Sequence, residues 1–326
     1  MQTIFAPVSA SRISRPDLLW RPLATSGQNH SVAKLAAGYI QDQVELSPMF
    51  QLILGLRYEN YNTKVTNLNP LLAPGTQRKF DVTDHLWSPR AGLIFKPVEQ
   101  ASIYASYSKS YLPRGGDQLA GLSITNQNLA PEKYQNYELG AKWDILPTLN
   151  VTAAVFQLDR DNVLSLSDPN NPASLTVPIG RQRNRGVELS AQGEITSQLS
   201  VVASYTYTDA KFLDSQSATV RAGNRVPNVP KNAAAVWARY DATDALGLAL
   251  GVTSQGRRYA ATDNTVSLSG YTRFDGAVYY RINESFDVQL NVENLFDKHY
   301  FQYSDNNTNL TPGSPRAVKL ALNARF

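Results

Sequence analysis

Arginines and tyrosines cluster at four places in this chain, two mixed and two of one kind: Tyr111 with Arg114, Arg257-Arg258-Tyr259, Arg181 with Arg183, and Tyr300 with Tyr303. A guanidinium offers planar, charge-assisted hydrogen bonds to anionic oxygens, and a phenol ring stacks on flat or cationic partners. Such pairs suit the capture of an anionic, flat, hydroxyl-rich molecule better than its conversion. Catalysis has no comparable constellation. The three histidines, His30, His85 and His299, are far apart, and none has a partner at metal-ligand spacing. No Gly-x-Ser-x-Gly elbow or phosphate-cradling glycine loop occurs, and the acids are scattered over many segments. The reading is of a protein that is not an enzyme and holds no metal or cofactor of its own. With no Cys, disulfide frameworks and thiolate metal sites are excluded; a net charge of +4, scattered among both signs, gives nucleic-acid binding little support.

The elements that position these residues are strands. In Pro315–Phe326, Val318, Leu320, Leu322, Ala324 and Phe326 fall on one face, and Lys319, Asn323 and Arg325 on the other with Ala317 and Ala321. A period of two, aliphatic on one side and charged on the other, describes a strand between two unlike solvents. Phe286, Val288, Leu290 and Val292 repeat it against Asp287, Gln289, Asn291 and Glu293. So do Tyr137, Leu139, Ala141 and Trp143 against Glu138 and Lys142, and Val187 and Leu189 against Glu188. Strands are expected at 34–46, 50–64, 86–96, 101–112, 132–146, 149–162, 180–195, 198–212, 229–241, 246–259, 270–282, 285–296 and 315–326. In 149–160 and 231–240 the pattern assigns no faces.

Tight turns alternate strictly with long polar loops, which fall at 65–85, 113–131, 163–179, 213–228, 260–269 and 297–314. Short periplasmic turns and long extracellular loops are the habit of a transmembrane β-barrel, with lipid outside and a polar lumen within. A mean hydropathy of −0.32 fits such a wall, because alternate residues face water. No run approaches the roughly 18 apolar residues of a spanning helix. A propeller would need four strands per repeat, and thirteen long strands exceed a usual β-sandwich. The expected fold is therefore an all-β, antiparallel transmembrane barrel. In that setting the loop tyrosines also fit an interfacial aromatic girdle. The arginines fit lipopolysaccharide phosphates or lumen carboxylates, so both readings stay open.

With the tight turns periplasmic, the first and last strands both run inward, which an ordinary closed antiparallel barrel does not allow. Leu18–Thr25 could add a strand, although Pro16 and Pro22 oppose a regular one. Residues 1–33 read as an extracellular-loop remnant or an irregular segment before a barrel portion at 34–326. The only early apolar patch precedes Arg12 and Arg15, the reverse of a secretory signal. A truncated chain is the expectation.

Several stretches carry a resemblance. They are Gly38–Leu46, Leu52–Tyr58, Ser88–Phe95, Ile103–Tyr111, Leu129–Trp143, Arg185–Leu189, Asn291–Tyr300, Pro312–Arg316 and the final Phe326. In this order they resemble the carboxy-terminal half of a TonB-dependent outer-membrane siderophore receptor. Leu129–Trp143 and Ile179–Glu188 lean toward the catecholate-type subgroup. The resemblance implies about 13–14 strands of a barrel of about 22, with neither the plug domain nor the box gripped by the energising protein. It implies uptake of iron only as a ferric siderophore, impaired in this chain alone, and placement in the bacterial outer membrane. Implied partners are the siderophore, outer-membrane lipid and lipopolysaccharide, the barrel-assembly machinery through Phe326, and the TonB complex through the missing plug. Ligand contacts fall to Tyr111, Arg114, Arg181, Arg183, Arg257, Arg258, Tyr259, Tyr300 and Tyr303. Glu138, Lys142, Glu188, Asp287, Glu293 and Arg325 would face the lumen or a plug. A passive porin-like channel and a non-functional relic are the alternatives.

Overall fold

The computed structural model describes residues 29–69, 72–114, 122, 127–166, 176–178, 180–215 and 217–325. Thirteen strands form one sheet in chain order. They are β1 (Asn29–Ser47), β2 (Phe50–Asn67), β3 (Lys79–Val98), β4 (Ala101–Leu112), β5 (Glu132–Leu146), β6 (Leu149–Asp161) and β7 (Gln182–Glu194). The sheet continues with β8 (Leu199–Phe212), β9 (Asn232–Asp241), β10 (Leu246–Gln255), β11 (Tyr271–Arg281), β12 (Phe286–Glu293) and β13 (Ala317–Ala324). Every pairing is antiparallel and between sequence neighbours. The sheet is open among the described residues, with β1 and β13 as its two edges running the same way.

Four of the tight turns share a local cause. The side-chain oxygens of Ser47, Thr196, Thr243 and Asn283 each accept backbone N–H groups two and three residues on. This closes the turn without needing a long connection.

Register fixes the faces. Leu320 lies opposite Leu290, Leu290 opposite Val278, Val278 opposite Leu248, and Leu248 opposite Tyr240. Apart from half-buried Leu290, these side chains are open to the surroundings, Leu320 at 73% and Leu248 at 45% exposure. A sandwich would bury that row against a second sheet. Instead the buried apolar clusters sit at the long-loop end: Val65, Phe80, Val82 and Leu122 in one, Val163, Phe212 and Val220 in the other. An apolar face this large left bare in the sheet has lipid as its natural solvent.

Aromatic pairs bound the apolar face. Phe50 and Phe95 stack at 4.8 Å beside the tight turns; Tyr58 and Trp87 (4.6 Å), Tyr107 and Tyr137 (5.1 Å), and Phe274 and Phe296 (5.3 Å) stand toward the loops. From Phe50 to Tyr58 is about 26 Å along the strand at the usual strand rise, which matches a hydrocarbon band once the strand is tilted.

The structure assigns the two stretches whose faces the sequence left open. Ala153 and Val155 lie opposite Ala141 and Leu139, and Val236 opposite Val252, all on the apolar face. Some boundaries differ from the expectation. β1 begins at Asn29 rather than 34 and β3 at Lys79 rather than 86. Pairing continues there beyond the apolar band, where Asn62, Lys64 and Asp81 replace aliphatics on the outer face and the buried apolar residues, Val65, Phe80 and Val82, lie on the other, inverting the alternation. β10 stops at Gln255, and Arg258–Tyr259 belongs to a separate ribbon with Ser267–Leu268. β12 stops at Glu293 because Asn294 takes a left-handed φ of 52°. Residues 1–28, most of the expected loop remnant, lie outside the described residues, as does Phe326.

Candidate functional site at the long-loop end

Three of the long loops are tied together by asparagines. Asn264, at φ 58°, accepts the Arg225 N–H (2.6 Å) and donates to the Arg225 carbonyl (2.9 Å). Asn228 donates to the Ser304 carbonyl (2.8 Å) and accepts from the Ser304 N–H and hydroxyl. Asn307 donates to both carboxylate oxygens of Asp263. Asparagine tolerates the left-handed backbone, and its amide serves two backbone groups at once. None of these residues was singled out by sequence; the loop asparagines flanked by Asp, Thr and Gly were the available signal.

The last two long loops place an aromatic and cationic group on the polar face. Tyr271, Arg273 and Asp275 alternate along β11 on that face. Tyr300 reaches them from the final loop, stacking on Tyr271 at 4.1 Å and accepting a hydrogen bond from Arg273 Nη1 at 3.2 Å. Arg273 also holds Asp275 at 2.9 Å. Gly313 lies under the Tyr300 ring so closely that a Cβ there would come 2.1 Å from it, so this seat requires glycine.

Arg258 is 2% exposed and donates from Nη2 to the carbonyls of Phe301 (2.6 Å) and Gln302 (3.0 Å). Its guanidinium lies over Tyr271 at 5.7 Å, its Nη1 has no hydrogen-bond partner among the described residues, and burial pushes its pKa below the ordinary arginine value. It pins two loops to each other. Arg257, the preceding residue, is exposed and lies 5.6 Å from the Tyr259 ring, with no carboxylate at ion-pair distance among the described residues. Tyr303 is 47% exposed and its hydroxyl pKa is raised by the hydrogen bond with Asp305. Thus Arg257, Arg258, Tyr259, Tyr300 and Tyr303 come to one part of the loop layer.

The other four stand apart. Arg114 is clasped by nearly buried Asp84, Nε to Oδ1 at 2.7 Å and backbone N–H to Oδ2 at 3.1 Å, and also donates to the carbonyls of Gln127 and Thr83. Tyr111 and Arg183 lie on the apolar face of the sheet, above its aromatic pairs; Lys109 covers the Tyr111 ring, and Arg183 holds Asp159 at 2.7 Å. Arg181 grips Asp214 through its backbone N–H, Nε and Nη2 at 2.9–3.1 Å.

The Arg181 clasp gives a pH prediction. Its hydrogen bonds hold the Asp214 carboxyl below the ordinary carboxylate range. A lowered folded pKa means the clasp is whole above the unfolded carboxylate value and is lost as pH falls through the lowered one. Spin labels on loops 163–181 and 213–228 should therefore keep one distance from neutral pH to below 4, then separate. Separation near pH 6 would contradict the clasp.

Further down the polar face, Tyr104 donates to Glu138 and lies under Lys142 at 5.7 Å. Glu188 lies opposite Thr206 on the same face. Glu293 pairs with Lys319, and Asp287 with Arg325 at 3.1 Å and Arg281 at 3.7 Å. At the tight-turn end, Arg239, Asp241, Tyr279, Arg281, Asp287 and Arg325 line a polar cavity of about 620 Å³.

Comparison with known proteins agrees with this wall. The family model for TonB-dependent receptor-like β-barrels matches residues 6–295. A probable TonB-dependent siderophore receptor, PiuA of Acinetobacter baumannii, is 33% identical over 303 residues, covering 88% of this chain and 40% of PiuA. The catecholate siderophore receptor Fiu of Escherichia coli K12 is 28% identical over 348 residues, covering 97% of this chain and 45% of Fiu. The crystal structure of PiuA superposes with a TM-score of 0.82 at 30% identity, over 91% of this chain and 44% of that one. The closed form of Fiu superposes at 0.77 and 27% identity, over 91% and 45%. The chain thus spans less than half the length of these relatives.

Proposed function

The chain belongs to the TonB-dependent receptor-like β-barrel family, and from that membership we propose that it builds the ligand-facing part of a receptor wall for ferric siderophores. Barrels of this family are outer-membrane proteins, and the family is one of receptors and transporters rather than enzymes. Iron enters this reading only as cargo, inside the siderophore. The polar face is proposed to receive a plug domain, carried on the same polypeptide or on another, and energised transport through TonB would depend on it. The catecholate subgroup is the finer proposal, supported by the likeness to Fiu.

The observation that carries the reading is the mouth of the wall. Arg257 offers an exposed guanidinium with no carboxylate at ion-pair distance among the described residues, beside Tyr259 and near Tyr303, on loops that Arg258 and the asparagines tie together. An anionic, flat chelate meets there a cation and phenol faces already ordered, so little entropy is lost on binding. Tyr111, Arg114, Arg181 and Arg183 are already engaged by neighbours, and we place them as supports of the mouth rather than first contacts.

The test is quenching of intrinsic fluorescence of the refolded chain by a ferric catecholate. Arg257→Gln should weaken binding roughly 10–100-fold, the value of a lost charge-assisted hydrogen bond. Unchanged affinity, or equal quenching by the iron-free ligand, would remove Arg257 from the site. Liposome swelling by small sugars without ligand saturation would favour the passive channel instead.

A further inference from the structure

The strands keep their lipid-facing band free of charge, with one exception. Between the tight turns and the rows of the aromatic pairs, Asp42 is the only acidic or basic side chain on the apolar face among the described residues. Register places it opposite Leu54, on the face of Ile40, Val44 and Leu56. Leu54 lies midway between Phe50 and Tyr58, so the carboxylate stands near the middle of the band. It is exposed, and it makes no hydrogen bond or ion pair among the described residues.

A charge at that depth is unfavourable in hydrocarbon, and ionisable groups within a membrane are found paired. A lysine or arginine can stretch its head group to the polar boundary, but an aspartate side chain is too short. Asp42 therefore needs a partner beside it. β2 offers none, because the residues it turns toward Asp42 are Leu52, Leu54 and Leu56.

The other side of β1 is open. β1 is an edge of the sheet among the described residues, and a row of unpaired backbone groups is costly in hydrocarbon. A strand that pairs with this edge lies directly beside Asp42. A second copy of the chain does not fit. Its free edges, β1 and β13, run the same way as this β1 whenever both copies insert with their long loops on one side. Antiparallel pairing, the rule at the other seams, requires a strand running from the tight-turn end to the loop end.

We propose that Asp42 is one half of a charge pair across this seam. The strand completing β1 carries a lysine or arginine on its lipid side, opposite Asp42 or one diagonal position away. Both positions lie within reach of a long cationic side chain. Away from water such a charge-assisted hydrogen bond is strong. The carboxylate also disfavours an apolar strand, so it selects register as well as partner. The pair rests on the wall being part of a membrane ring and not on what the mouth binds.

The full chain, refolded in zwitterionic detergent, would be offered three short synthetic strands of alternating apolar and polar residues. They differ only at the central apolar-side position, which is Arg, Leu or Glu, and each carries a quencher. The chain has no native Cys, and a Cβ at Gly38 meets nothing within 4 Å, so a fluorophore on Gly38→Cys reports binding at β1. A fluorophore on Leu322→Cys reports binding at β13. The Arg strand should quench at position 38 with about 10-fold higher affinity than the Leu strand, and the Glu strand should be weakest. Asp42→Arg should reverse the order of the Arg and Glu strands. Equal affinity of the Arg and Leu strands for the chain with Asp42 intact would overturn the pair. So would an unreversed order in Asp42→Arg, or quenching at position 322 alone. Equal tightening of all three strands by Asp42→Leu would also overturn it, marking a carboxylate that only guards the edge. The three strands offered to intact Asp42 decide the matter even where Asp42→Arg fails to fold. Quenching by the ferric catecholate reads the separate claim about the mouth and should be the same with and without Asp42.

Discussion

A chain carrying Leu320→Arg is expected to lose its folded, heat-modifiable form in lipid bilayers, whereas one carrying Asn323→Arg keeps it. The two positions are three residues apart on β13 and face opposite solvents. Leu320 lies opposite Leu290 and is 73% exposed on the apolar face; Asn323 lies opposite Asp287 on the polar one. An arginine near the bilayer midplane costs about 2–4 kcal/mol, whereas an arginine beside a lumen carboxylate finds a partner. Against a net stability of about 5–15 kcal/mol, the first is a large fraction of what holds a domain folded. Leu250→Arg repeats the test on β10, well inside the sheet and away from either edge. Unfolded-mobility bands for Leu320→Arg and Leu250→Arg, with a folded band for Asn323→Arg, are the expected gel. Equal behaviour at all three would show that the faces are misassigned.

The second large effect concerns Asp84. It is 3% exposed and accepts both the guanidinium and the backbone N–H of Arg114, thirty residues away, anchoring the loop that follows β4 to the wall. Asp84→Ala leaves the Arg114 charge half-buried without its acid. Removing one partner of a buried pair is worth about 3–5 kcal/mol, and the partial exposure of Arg114 places this case at the lower end. The expected result is a lowered melting temperature together with new protease cleavage in loop 113–131, while the strands keep their far-UV signal. Asp84→Asn, which preserves shape and one acceptor, should lose clearly less. A melting temperature unchanged in Asp84→Ala would mean that the clasp is not what holds this loop.

Much of the wall was legible because its physics is local. A period of two between lipid and water writes itself into each strand, so all thirteen strands and the turn-and-loop alternation follow from the residues alone. Where the period failed, the reason is physical. Ala153 and Ala154, or Ala233 to Ala235, carry too little contrast to mark a face, and only pairing with Leu139 or Val252 decides it. Strand ends were misjudged where the chain leaves hydrocarbon and the outer face turns polar, as at Asn62 and Asp81, while Val65, Phe80 and Val82 pack on the other face, so the phase of the alternation inverts.

The mouth was legible in kind but not in role. Arg114, Arg181, Arg257 and Arg258 look alike in sequence. Asp84, Asp214 and the carbonyls of Phe301 and Gln302 come from distant segments, and they turn three of the four into fasteners and leave Arg257 open. The group of Arg160, Glu132 and Tyr134 on the polar face of β5 and β6 escaped notice for the same reason, since its members meet only through the register of two strands. Nonlocal partners, not residue types, sort anchors from contacts.

The central claim is that alternate residues of one strand touch hydrocarbon and water. The chain has no native Cys, so single cysteines can be placed along 246–255, spin-labelled and reconstituted. Accessibility to oxygen, which partitions into lipid, and to a water-soluble nickel chelate should alternate out of phase, with oxygen highest at 248, 250 and 252 and nickel highest at 247, 249 and 251. Two curves rising and falling together along the strand, or low accessibility to both at 248 and 250, would contradict the account.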